Sequence, residues 1–106
     1  MTLQNLDAIL KKATPDVYEL AAPEGAASFV VYALSGYRQI RADDIILMEI
    51  PQIQIHIVSQ STGADLESRV FRVLRDYHIT WMLLDTGYNP DRNWFITRIS
   101  VVLPDG

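Results

Sequence analysis

The side chains best suited to chemistry are few and scattered along this chain. His56 sits between Ile55 and Ile57, and His78 follows a segment of helical character. A histidine acting as general base or metal ligand needs carboxylates or a second histidine at converging spacing, and neither has them nearby in sequence. A solvated or interface position accounts for His56. A place near a helix C-terminus, where positive charge is favoured, accounts for His78. Asp43 and Asp44 could begin a divalent-cation site, but neighbours in an extended segment point to opposite faces, and no second acidic cluster complements them. The other reading of this pair is a loop kept soluble by charge.

Other reactive arrangements are missing as well. Ser35-Gly36 and Ser61-Thr62-Gly63 make no nucleophile elbow, and no glycine-rich loop could cradle a phosphate. Lys11 and Lys12 are the only lysines and lie far in sequence from every other acidic cluster, which disfavours a metal-dependent nuclease. The chain has no cysteine, so disulfides, thiolate metal sites and cysteine nucleophiles are excluded. Arg69, Arg72 and Arg75 could bind phosphate. With Asp65, Ser68 and Asp76 on the same side of a helix, a solvated face or inter-subunit ion pairs also explain them. The sequence reads as that of a non-enzyme without cofactor or metal.

The elements that would position these residues follow from periodicity. Leu3, Leu6, Ile9 and Leu10 recur at helical spacing, with Thr2 as N-cap and Pro15 as the stop. A brief strand over 17–20 follows, then a turn at 22–25. Residues 28–34 make a strand apolar on both faces. Residues 36–44 read as a polar loop. Residues 45–58 read as a strand interrupted at Pro51, where a missing N–H calls for a bulge or an edge. After Pro51, Ile53, Ile55 and Ile57 alternate with Gln52, Gln54 and His56. A capping region over 59–65 precedes a second helix whose stripe is Leu66, Val70, Val73, Leu74 and Tyr77. A strand over 79–84, a loop over 85–93 and a strand over 94–102, ended at 104–106, complete the chain. Its 106 residues suit one domain, 1–106. The expected fold is α+β, a mixed or antiparallel sheet of four to five strands with two helices packed on one face.

Composition narrows the function classes. With 9 Lys+Arg against 13 Asp+Glu the net charge is −4, which argues against nucleic-acid binding as the main task. The hydrophobic fraction of 49% is too high for a disordered chain, and no apolar run reaches the ~18 residues of a membrane span. Residues 1–7 lack the basic-then-apolar layout of a signal peptide, so an intracellular domain is expected. Two helices cover only one face of a sheet, yet both faces carry large apolar groups. Phe29, Ile53, Ile55, Ile57, Phe95 and Ile99 would form one layer, and Val30, Tyr32, Leu34, Trp94 and Ile96 the reverse. A one-residue register slip exchanges such sets. Either way apolar surface is left over and points to assembly. The expected interface comprises Tyr37, Arg38, Arg41, Asp43 and Asp44 in the first long loop, and Tyr88, Asp91 and Arg92 in the second. Phe71 on a helix flank and Trp94 on the leftover surface complete it.

Several stretches together resemble one family. They are the short helix running into PDVYEL, the SFVVYAL strand, RADDIILMEIPQIQIHIVS before LESRVFRVLRDY, and the closing WFITRISVVLP. In size, order and these stretches the chain resembles the tail-terminator (tail-completion, head–tail joining) proteins of long-tailed double-stranded DNA bacteriophages. The resemblance spans nearly the whole chain and consists of pattern rather than an invariant motif. It implies a homo-oligomeric ring, commonly a hexamer, at the head-proximal end of the tail. The ring would end polymerisation of the tail-tube protein and present the surface to which the head docks through its head-completion connector protein. No catalytic residues, cofactor or membrane partner follow from it, and DNA would pass through the ring without sequence-specific contact. An acidic lumen would suit such passage, with Asp43, Asp44 and Asp91 as the candidate acids. The implied location is the virion tail, and the host cytoplasm during assembly. Head-to-tail packing is expected, with 36–44 reaching a neighbour or the tube and 85–93 contributing to docking. The alternatives are a head-completion connector of the same virion, and a monomeric α+β regulatory or ligand-binding domain with an apolar pocket. A small metal-dependent hydrolase is the least supported.

Overall fold

A computed structural model describes residues 2–23, 28–43, 45–60 and 64–103, with side chains for all of these except 38–42, 46–49 and 64. The element order is α1 (Leu3–Leu10), β1 (Val17–Glu19), β2 (Phe29–Ala42), β3 (Ile45–Ser59), α2 (Ala64–Asp76), β4 (Thr80–Asn89) and β5 (Trp94–Val102). The five strands form one mixed sheet in the order β1-β2-β3-β5-β4. β1 runs parallel to β2, and every other pairing is antiparallel. Both helices pack on one face, so the fold is α+β as the element order implies.

Local chemistry fixes the helices. The Thr2 hydroxyl accepts from the Asn5 backbone N–H at 3.2 Å and caps α1. Asp7 and Lys11, one turn apart, form an ion pair at 2.8 Å. α2 carries Asp65 and Glu67 in its first turn and Arg75 in its last, each matching the helix dipole. After it, His78 takes a left-handed conformation (φ 57°). The Lys12 ammonium donates to the Tyr77 hydroxyl and so ties the ends of the two helices together.

The core lies between the helices and one side of the sheet. Leu6, Leu10, Val70 and Leu74 meet Val30, Ile53, Ile55, Ile99 and Val101, all fully buried. Register explains the choice of face. Val30 pairs with Ile57, Tyr32 with Ile55 and Leu34 with Ile53, and β5 sets Ile99 beside Ile55. The β2 residues therefore join the isoleucine layer, whereas the sequence placed Val30, Tyr32 and Leu34 on the reverse. Phe29 goes the other way and meets Trp94 edge-to-face at 5.4 Å. One strand entering with the opposite parity exchanges its two apolar sets.

The two long segments expected to be loops are strand. β2 and β3 continue as a two-stranded hairpin to Ala42 and Ile45, and Asp43 between them is left-handed (φ 52°). Residues 36–42 are thus β-structure. β4 continues through Asn89, so only 90–93 remain as a turn of the second expected loop. Pro51 does meet the bulge and open edge that its missing N–H calls for. A register shift falls between Leu34 and Gly36 on the partner strand, and pairing of β3 with β5 stops at Gln52. Gly36 takes φ 155° at this bulge, a conformation side-chain-bearing residues rarely adopt. Beyond that level the hairpin projects as an arm, and the molecule measures 49 × 27 × 22 Å. The expected capping run at 61–63, parts of the turn at 22–25 and the stop at 104–106 lie outside the described residues.

Candidate interaction surfaces

One surface that leaves large apolar side chains open is the edge strand β4. Thr80 through Tyr88 are all exposed, including Trp81, Met82 (63%), Leu83 (52%) and Leu84. Among the described residues its inner neighbour β5 satisfies only one side of its backbone, so a row of N–H and C=O groups faces outward. Trp81 stacks flat on Phe71 at 4.2 Å with 6° between the planes. This anchors β4 to α2 and explains why Phe71 lies off the core stripe. A register shift between Leu83 and Asp85 marks a bulge at Leu84. Asp85, just past it, pairs with Arg98 of β5 at 3.4 Å. The sequence reading missed this strand as a surface, because an apolar run carries no mark of whether its strand is central or at an edge.

The arm is the second surface. On the outer side of β2, β1 pairs only with Val30, Val31 and Tyr32. From Ala33 to Ala42 no described strand lies on that side. Tyr37 is exposed here, paired with Pro51 across the hairpin. Arg38 and Arg41 take register positions opposite Ile50 and Ile46, and Asp43 is exposed at the turn. Asp44 lies outside the described residues. Where β1 ends, a depression of about 250 Å³ opens between Leu20, Val31, Leu34, Gln54 and His56.

The third surface is the far end of the β4–β5 hairpin. Tyr88 leans on Phe95 at 4.8 Å and donates to the Asn93 side chain at 2.7 Å, which in turn donates to the Gln60 carbonyl. The Asp91 backbone N–H donates to Asn89 Oδ1 at 3.0 Å. The turn is therefore built by its own side chains. On the reverse face Arg92 lies over the Trp94 ring at 5.0 Å, and Trp94 packs on Phe29. The Trp94 ring N–H is buried without a partner among the described residues.

The sequence-expected interface residues thus fall into separate groups. Antiparallel pairing of Ser59 with Phe95 and of Gln52 with Val102 sets the turn at 90–93 and the arm tip at opposite ends of the sheet. Tyr37, Arg38, Arg41 and Asp43 gather at one end; Tyr88, Asp91, Arg92 and Trp94 gather at the other; Phe71 stands apart beside β4.

Titratable groups elsewhere serve structure. The Tyr32 hydroxyl donates to Asp7 at 2.8 Å, and burial next to that carboxylate pushes the phenol far above its ordinary value. Asp7, hydrogen-bonded by Lys11, is held below the usual carboxylate value. Burial, then the nearby Arg98, pushes the His56 imidazole down. His56 has Gln54 at 3.4 Å as its neighbour. No group of three His, Asp or Glu that could hold a metal is formed among the described residues. No described helix is long and apolar enough to cross a membrane.

No family model and no curated protein matches this chain. Among solved structures, a Tt H-NOX variant is 10% identical with a TM-score of 0.47, over 97% of this chain and 46% of its own. A Cs H-NOX variant is 12% identical with a TM-score of 0.47, over 99% and 50%. The chain spans about half the length of these proteins. At this level the likeness carries no argument about activity.

Proposed function

We propose that the chain is a non-enzymatic, ring-forming structural subunit of the kind it resembles, a tail terminator of a long-tailed bacteriophage. The ring, commonly hexameric in that family, caps the tail tube, ends its growth and offers the head connector a docking surface. The observation that carries this reading is β4, a 10-residue edge strand exposed from Thr80 to Tyr88 and largely apolar from Trp81 to Leu84. Such an edge is a pairing site, and a monomer normally blunts it with charge, proline or brevity. On the opposite edge the 3-residue β1 covers β2 only at Val30 to Tyr32. The projecting arm adds a second element that reaches beyond the globular part.

The test is absolute mass by light scattering over a wide concentration range. A species about six times the 12.0 kDa chain mass, or one growing toward it with concentration, is expected. Adding purified tail tubes should then yield capped tubes that no longer elongate. Binding to portal-bearing heads and not to tubes would instead identify a head-completion connector. A strict monomer at every concentration, with no binding to tubes, overturns the proposal.

A further inference from the structure

We infer that the junction between ring neighbours is an edge-to-edge β pairing, in which β4 of one copy lies along the open stretch of β2 (33–42) of the next. This rests on the ring reading above and names the two surfaces that meet. The lengths match: β4 has 10 residues, and 33–42 is the same length. Each has one backbone side that no described strand pairs with, and the two lie on opposite edges of the sheet order β1-β2-β3-β5-β4. Donor and receiver on opposite edges make a head-to-tail contact, the kind that builds a ring when its rotation closes and not a two-fold dimer. Within the sheet β4 runs opposite to β2. In a ring whose axis is inclined to the strands, as in a barrel, neighbouring copies keep their strand senses, so the junction is antiparallel. β4 is level with the sheet body and the open stretch of β2 with the arm. The neighbour is therefore stepped along the strands, as shear steps the strands of a barrel.

Charge selects this pairing over the two self-pairings. The only charged residue of β4 is Asp85, and the only charged residues of 33–42 are Arg38 and Arg41. Asp43 and Asp44 belong to the turn, and Glu49 to the strand behind. Antiparallel pairing of β4 with itself over its full length would put two Asp85 in neighbouring positions. Pairing of 33–42 with itself would do the same with Arg38. Either self-pairing brings charges of one sign onto adjoining strands, whereas the mixed junction brings Asp85 alongside a stretch that carries two positive charges. The depression at the root of the open stretch, with exposed Leu20 and Leu34 at its rim, offers the apolar side chains of β4 a seat.

The experiment uses two variants, Asp85→Arg and the double Arg38→Asp/Arg41→Asp, each checked for native circular dichroism and measured by light scattering. Each alone should associate at least about tenfold more weakly than the unaltered chain. Mixed one to one they should regain rings, because every junction in an alternating ring then pairs opposite charges. If Asp85→Arg fails to fold beside Arg98, Asp85→Asn replaces it. Asp85→Asn should associate more weakly alone and regain strength with the Arg38→Asp/Arg41→Asp variant, whose Asp85 meets its Arg38 and Arg41. Full-strength association of either variant alone, or a mixture no stronger than its components, overturns the junction and leaves the ring reading standing. An unaltered chain that never self-associates, with or without tubes, overturns both.

Discussion

The two faces of the sheet are made by the same strands, one residue apart, and they are treated differently. On the helix-covered face Ile53, Ile55, Ile99 and Val101 are fully buried. On the reverse face their neighbours Gln52, Gln54, His56, Arg98 and Ser100 are half-buried or exposed. Phe29 and Val58 are buried there too, at the end held by Trp94. The covered face supplies the stability of the fold. The reverse face and the β4 edge are left free to serve contacts, because little of the core depends on them.

The strongest challenge to that division is truncation at the centre of the covered face. Ile55→Ala should lower the unfolding free energy by about 3–4 kcal/mol, measured by urea denaturation. A loss below about 1 kcal/mol would mean that the two faces do not differ as described. Tyr32→Phe sharpens the same point at lower amplitude. It removes only the hydrogen bond to Asp7 and should cost about 1 kcal/mol in the same assay.

The smallest effect belongs to the reverse face. In the folded state His56 titrates below its ordinary value, so between that value and about 6.5 the unfolded chain binds more protons. Its contribution to stability is full above pH 6.5 and is lost as the pH falls through the folded-state value. His56→Gln should flatten the stability curve in that window and change little at pH 8, as followed by thermal melts. An unchanged acid limb would remove His56 from the account.

Much of the fold is legible in the sequence where burial imposes a period. Both helices, the alternation from Gln52 to Ile57 and the last strand follow from it, as does the irregularity at Pro51. The outer hairpin and the second half of β4 are not legible, because residues such as Ser35 to Arg41 show turn-like polarity in the sequence. Which residues share a layer also escapes sequence reading. The bulges at Leu34/Gly36 and Leu83/Asp85 arise from pairing, and pairing is tertiary. Residue type and loop position alone point to the expected interface residues. The structure divides them between two ends of the sheet, since Tyr37 and Tyr88 belong to hairpins that turn in opposite directions.

The strand order has a consequence in time. β5 comes after all the other described strands in the chain, yet it sits between β3 and β4 and is the only described strand that β4 pairs with. During synthesis the earlier elements emerge first, but β4 has no place in the sheet until β5 inserts and brings Ile99 and Val101 into the core. The apolar edge is therefore assembled last. A half-made chain offers its neighbours on the same message no finished edge to pair with, and that delays polymerisation until each subunit is folded.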